Sequence, residues 1–222
     1  MRKVKIIQGE YYHIYNRGNG KQNIFLEEKD KARLLFLIIH FQSPIVFRNM
    51  GRLVSNYMRY RTFNLSGEEI EKIIKKRKVE LSVFAFMPNH FHLVVKEVGE
   101  KGISEYMQRV QNAYTKYFNT KYEKSGHLFQ GPFKIKQVED NNQLLHLSAY
   151  VHRNPREIKE WKDKENNYPW SSYIDYFKEN RWGDLLLKEI IENQFKDKSD
   201  YDSFVKNSGT KMETESEEYE IK

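Results

Sequence analysis

Apolar and polar residues alternate from Val79 to Met87 and again from His90 to Lys96, with Pro88 and Asn89 between the two runs. A period of two, dense in β-branched and aromatic residues and broken by turn formers, predicts a β-hairpin. In its second strand His90 and His92 share one face, while Phe91, Leu93 and Val95 share the other. Two imidazoles at that spacing can share one cation. Upstream, EYYHIYNR (Glu10 to Arg17) reads as a first strand ended by the Gly18-Asn19-Gly20 turn. Its His13 reads as an ordinary half-buried histidine, since no partner lies at a diagnostic spacing. Helical spacing of Ala32, Leu35, Phe36 and Ile39 predicts a core helix over Glu28 to Gln42, with Asp30 near the end that the helix dipole favours.

The period of 3.6 is clearest from Gly102 to Tyr122, where Ile103, Tyr106, Met107, Val110, Tyr114, Tyr117 and Phe118 make one stripe. A strand over Phe133 to Val138 follows the turn glycines Gly126 and Gly131. Next, Asp140 or Asn141 caps the helix NQLLHLSAYVHRNP, with Leu144, Leu147 and Val151 as its core stripe and Pro155 as its stop. The succession β-α-β-β-α-β is the ferredoxin-like split pattern: an α+β domain whose antiparallel sheet carries helices on one face.

Between the first helix and the hairpin, residues 43–78, the periodicity weakens and cations gather, so this stretch reads as an insertion. Ser66 with Glu69 is a capping box opening a short helix. SNYMRYRTFN interleaves Arg59 and Arg61 with aromatic rings, a composition that can grip a DNA strand or form a solvated helix face. The expected organisation is one main domain over 1–158, a C-terminal extension over 159–208 with two short helices (LLLKEIIENQF and SDYDSFVKN), and an acidic, disordered tail over 209–222.

Charge and composition then narrow the chemistry. The net charge of +7 is the sum of a basic body and a tail, from Thr210 on, with two lysines against five glutamates. Fifteen tyrosines, 14 phenylalanines and three tryptophans among 38 Lys and Arg suit a nucleic-acid surface, where cations neutralise phosphate and rings stack on bases. With no cysteine, any metal is held by nitrogen and oxygen, and disulfides are excluded. No apolar run reaches the length of a membrane span and MRKVKIIQGEYY lacks a signal-peptide core, so a cytoplasmic, nucleoid-associated protein is expected.

On the predicted downstream helix His146, Tyr150 and Asn154 lie at i, i+4 and i+8, setting a phenol and a carboxamide one turn apart. HFH after FMPN, AYVHRNP, the early YYHIYNRGN and the late YPWSSY together resemble the single-tyrosine HUH transposases, in particular the REP-associated branch related to insertion-sequence transposases. The resemblance runs from about Tyr11 to Tyr173. It implies the HUH nuclease fold, His90, His92 and Asn154 as ligands of Mg2+ or Mn2+, and Tyr150 as the nucleophile that forms a 5' phosphotyrosine on single-stranded DNA carrying a hairpin or palindromic repeat. Neutral imidazole and amide donors leave such a cation its full charge for polarising a phosphate. Tyr114 in NAYTKYFN is the competing nucleophile, with Phe118 rather than a donor one turn on. Arg17, Arg59, Arg61, His127, Gln130, Lys134, His146 and Arg153 are the candidate DNA contacts, while His152 reads as a surface or supporting group. A monomer is favoured over a homodimer. The rival readings are a non-catalytic hairpin-binding module and a His-metal phosphodiesterase without a covalent intermediate.

Overall fold

A computed structural model of the chain describes residues 5–63 and 65–209; the acidic tail expected from Thr210 on lies outside the described residues. Four strands, β1 (Tyr11–Arg17), β2 (Val79–Met87), β3 (His90–Glu97) and β4 (Lys134–Gln137), form an antiparallel sheet in the order β2-β3-β1-β4. This is the split arrangement that the succession of elements implied. The hairpin β2-β3 turns at Pro88-Asn89, and its register pairs Ala85 with His92 and Met87 with His90.

One face of the sheet packs on α1 (Glu28–His40) and α4 (Gly102–Lys121) through Phe84, Phe86, Phe91 and Leu93 against Leu35, Ile38, Val110 and Tyr114. Behind α1 lie α2 (Met50–Tyr60), which buries Val54 and Tyr57, and α3 (Gly67–Lys76), opened by the predicted reciprocal cap of Ser66 and Glu69. The expectation of helices on one face is corrected here. The opposite face is covered by α5 (Asn141–Arg153), by α6 (Tyr173–Phe177), α7 (Glu189–Glu192) and α8 (Lys198–Asn207), around a second core of Val83, Ala85, Val94, Leu147, Val151 and Tyr201. A bulge makes both cores possible. The register shifts between Leu81 and Val83, so the extra residue Ser82 turns the strand and these two apolar residues serve opposite layers.

The segment after α5 seals the free edge of β2. Phe86 donates its N–H to the Trp170 carbonyl and Ser172 to that of Phe84, each at 2.9 Å, and Leu187 donates to Leu81 at 2.9 Å. Pairing of this kind removes an exposed sheet edge. Asp140 caps α5 by accepting from Gln143 N–H at 2.7 Å. The helix ends at Arg153, but the chain runs on as a 3-10 turn over Asn154–Glu157, because Pro155 fits the first turn of a new helical segment.

His40 gives the fold a pH dependence. Its ring is buried among Phe36, Phe47 and Phe63, its Nδ1–H donates to the Phe36 carbonyl at 2.6 Å, and burial pushes its pKa down to about 4. Below pH ~6.5 the unfolded chain takes up a proton that the folded chain refuses, so stability present above that pH falls by up to about 1.4 kcal/mol per unit until pH ~4. Urea unfolding at pH 7 and pH 5 tests this. His40→Leu is expected to lose about 2 kcal/mol less than the parent over that interval; equal losses in the two proteins would remove His40 from the account.

Candidate active site

The site lies on the α5 face of the sheet, where the strand ladder sets its floor. β1 and β3 pair so that Tyr15 faces His92 and Arg17 faces His90, while β1 and β4 pair His13 with Lys136 and Tyr15 with Lys134. Alternation therefore sends His13, Tyr15, Arg17, His90, His92, Lys134 and Lys136 to one face. α5 crosses above them. The Tyr150 ring stands edge-on to His92 with centroids 5.7 Å apart, and to His13 at 6.3 Å. One turn later Asn154 donates Nδ2–H to the Tyr150 carbonyl at 2.9 Å, which leaves its Oδ1 for other work.

The imidazoles are held neutral. Burial, with Arg17 across the ladder adding to it, pushes His90 down to about 4, against the pull of the nearby Asn154 carboxamide. Burial first, then the neighbouring rings and Arg17, drives His92 well below the ordinary range. His90 donates Nδ1–H to Asn89 Oδ1 at 2.7 Å, an orientation that Asn89 keeps by donating its own Nδ2–H to the Lys21 carbonyl at 3.1 Å. The remaining nitrogen, Nε2, therefore presents a lone pair; it is buried and has no hydrogen-bond partner among the described residues. A buried lone pair aimed beside an amide oxygen fits a divalent cation. Among the described residues no group of three His, Asp or Glu side chains gathers to hold a metal, so a cation here would take His90 and His92 with Asn154 as the third donor.

The two candidate nucleophiles separate clearly. Tyr114 is sealed in the other core, donates its hydroxyl to the Ile24 carbonyl at 2.6 Å, and burial raises its pKa well above the ordinary phenol value. Tyr150 is only partly covered, at the rim of the α5 face.

Residues 56–154, which hold His90, His92, Tyr150 and Asn154, match the model of a family described as IS200-like transposases. The match spans a little under half of the chain, which over that segment is similar to the IS200-like transposases. The family is one of enzymes that cut and transfer DNA. A solved structure of a REP-associated tyrosine transposase bound to a REP hairpin is similar in fold, with a TM-score of 0.53 and 11% sequence identity over 82% of this chain and 87% of that one. No curated protein sequence matches the chain.

The remaining predicted contacts scatter. Arg17 lies in the candidate site opposite His90, Lys134 is exposed at its β4 border, and Arg153 lies at the end of α5. Gln130 is exposed and its backbone N–H donates to the Arg17 carbonyl at 2.8 Å. His127 lines a cleft of about 870 Å3 between α4 and the loop containing Phe129 and Phe133. Arg59 lies in α2 and Arg61 caps its C-terminus, behind the opposite face; Arg59 stacks on Tyr60, and Arg61 pairs with Glu28 at 3.0 Å. His146 packs against Phe204 of α8 at 5.3 Å. His152 is neither a surface nor a site group. It is wholly buried, Nε2 and Ser172 Oγ lie 2.8 Å apart, Nδ1 and the Tyr201 hydroxyl 2.7 Å, and burial lowers its pKa to about 3. Two site residues were missed. Lys136 carries no motif, and His13 is fully buried inside the site, with Nε2 2.9 Å from His92 Nδ1.

Proposed function

We propose that the chain is a single-strand DNA endonuclease and strand transferase that acts on hairpin or palindromic repeats through a 5' phosphotyrosine at Tyr150. The observation that carries this reading is the edge-on approach of the Tyr150 ring to His92, with Asn154 one turn beyond and His90 beneath it. Its hairpin substrate is suggested by the fold shared with the hairpin-bound transposase. Tyr150 Oη attacks the phosphorus, the bond from phosphorus to the 3' oxygen breaks, and the proton ends on the released 3' hydroxyl. Rejoining reverses the exchange, so no external energy source is required. His90, His92 and Asn154 would hold Mg2+ or Mn2+, which supplies Lewis-acid polarisation of the phosphate when bound.

The chain's own residues do the rest. Tyr150 is presented by a helix whose far side is clamped to α8 through Tyr201 and Ser148 at 3.1 Å, so the phenol is oriented before substrate arrives. Arg17, Lys134 and Lys136 line one side of the floor, where they can neutralise phosphates flanking the reacting one. Because α5 is fixed by the same chain's C-terminal helices, a self-contained monomer suits this arrangement. Lys136→Ala is expected to weaken DNA binding uniformly across sequences and to reduce the slope of log K against log salt by about one. Fluorescence anisotropy over a salt series measures it, and an unchanged slope places Lys136 outside the DNA path.

The reading is tested with a labelled single-stranded hairpin, Mg2+ or Mn2+, and a denaturing gel. It expects a DNA adduct that protease removes. Binding without cleavage points to a hairpin-binding module, and cleavage without adduct to a metallophosphodiesterase.

A further inference from the structure

The catalytic reading above uses His90 and His92 but leaves His13 without a task, although its ring is buried against both His92 and Tyr150. We propose that His13 is a positioning residue for His92: it accepts the Nδ1 proton of His92 and so keeps the lone pair of that ring on Nε2. This rests on the reading of His90 and His92 as cation ligands.

The contact itself makes the argument. His13 Nε2 and His92 Nδ1 are 2.9 Å apart, a distance at which one nitrogen donates and the other accepts. Because Nδ1 of His92 is engaged in this contact, a cation on that ring would be served by Nε2. Nε2 can do so only as a lone pair, which obliges Nδ1 to carry the proton and His13 Nε2 to accept it. His90 meets the same requirement by another route, with Nδ1–H on the amide oxygen of Asn89, an acceptor that admits one answer. The two ligands thus have matched supports, one amide and one imidazole. The imidazole support has its own signature: the other nitrogen of His13, Nδ1, is buried with no hydrogen-bond partner among the described residues. In the cation-bound form that nitrogen carries the His13 proton. A histidine whose second nitrogen bonds to nothing is poorly explained as a structural staple, which would use both. It is explained by a demand made on its first nitrogen.

His13 also lies tilted against Tyr15, ring centroids 4.9 Å apart, and Tyr15 faces His92 across the ladder, so the ring is packed from the strand side as well as by α5. The acceptor is therefore held in place and not merely available. No sequence spacing reveals it, because the partners are 79 positions apart.

The test compares Mn2+ binding, followed by loss of the free-ion paramagnetic resonance signal, in the intact chain, His13→Phe and His13→Gln. Phenylalanine removes the acceptor, whereas the glutamine amide oxygen restores one. We expect His13→Phe to bind Mn2+ about 10- to 100-fold more weakly and His13→Gln to stay within about threefold of the parent. Thermal unfolding is run alongside. In the Mg2+ complex of the parent, 15N-edited spectra are expected to show His92 protonated on Nδ1. A folded His13→Phe that binds Mn2+ as tightly as the parent overturns the inference, as does a His92 proton found on Nε2. A parent that takes up no Mn2+ at all overturns the cation reading, and this inference with it. If His13→Phe does not fold, the 15N result on the parent decides alone.

Discussion

Tyr150→Phe is expected to abolish the protein–DNA adduct and to slow strand cleavage by at least about 10^3-fold, because it removes the oxygen proposed to attack phosphorus while leaving its ring in place. The ring contacts with His92 and His13 involve no hydroxyl, so the variant keeps the packing of α5 and binds DNA as the parent does. Tyr114→Phe is the matched control. It loses a hydrogen bond to the Ile24 carbonyl in the other core, worth about 1 kcal/mol of stability, and keeps the adduct. Quantifying adduct and cleaved strand on one gel separates chemistry from binding; retention of adduct by Tyr150→Phe would defeat the assignment.

The second large effect concerns the segment that seals β2. Asp175 is fully buried and accepts from Arg181 Nε and Nη2, each at 2.7 Å, from the Arg181 backbone N–H at 3.0 Å, and from Trp182 Nε1 at 3.3 Å. Arg181 in turn donates to the carbonyls of Pro169 and Ser171, and Ser171 bridges to Ala85 of β2, the partner of His92. Asp175→Ala leaves a guanidinium largely out of water without its partner, a change that costs about 3 to 5 kcal/mol. Urea unfolding is expected to show a loss of that size at unchanged slope, and a loss below about 1 kcal/mol would mean that the pair is replaceable by solvent. The site is expected to suffer too, since the strand beside His92 loses its backing.

How much of this was legible beforehand depended on whether the signal was local. The hairpin, the first long helix, α4 and α5 announce themselves by period and by turn or cap residues, and the Ser66–Glu69 box is present as read. α2 was not separated from its basic surroundings, because its N-cap, Asn49, adopts a left-handed conformation and makes no side-chain cap, and its cations mask a short stripe of Met50, Val54 and Tyr57. The second helical layer was missed for a different reason. Period tells which face of a helix is apolar but not which face of a sheet receives it, and the bulge at Ser82 that gives β2 two buried faces has no sequence mark. His90, His92, Tyr150 and Asn154, which the structure brings together, were singled out because each sits in a short motif. His13 and Lys136 enter through cross-strand register, which is set by distant partners, and Arg59 and Arg61 looked like DNA contacts only because composition carries no direction.

The central claim is that one side chain, on α5, becomes covalently joined to DNA. The direct measurement is to trap the adduct on a hairpin substrate, digest the DNA and the protein, and locate the residual nucleotide by mass spectrometry. The account predicts a phosphodiester on Tyr150, in the peptide between Lys136 and Arg153. A nucleotide on Tyr114 or any other residue, or cleavage with no nucleotide-bearing peptide, would contradict it.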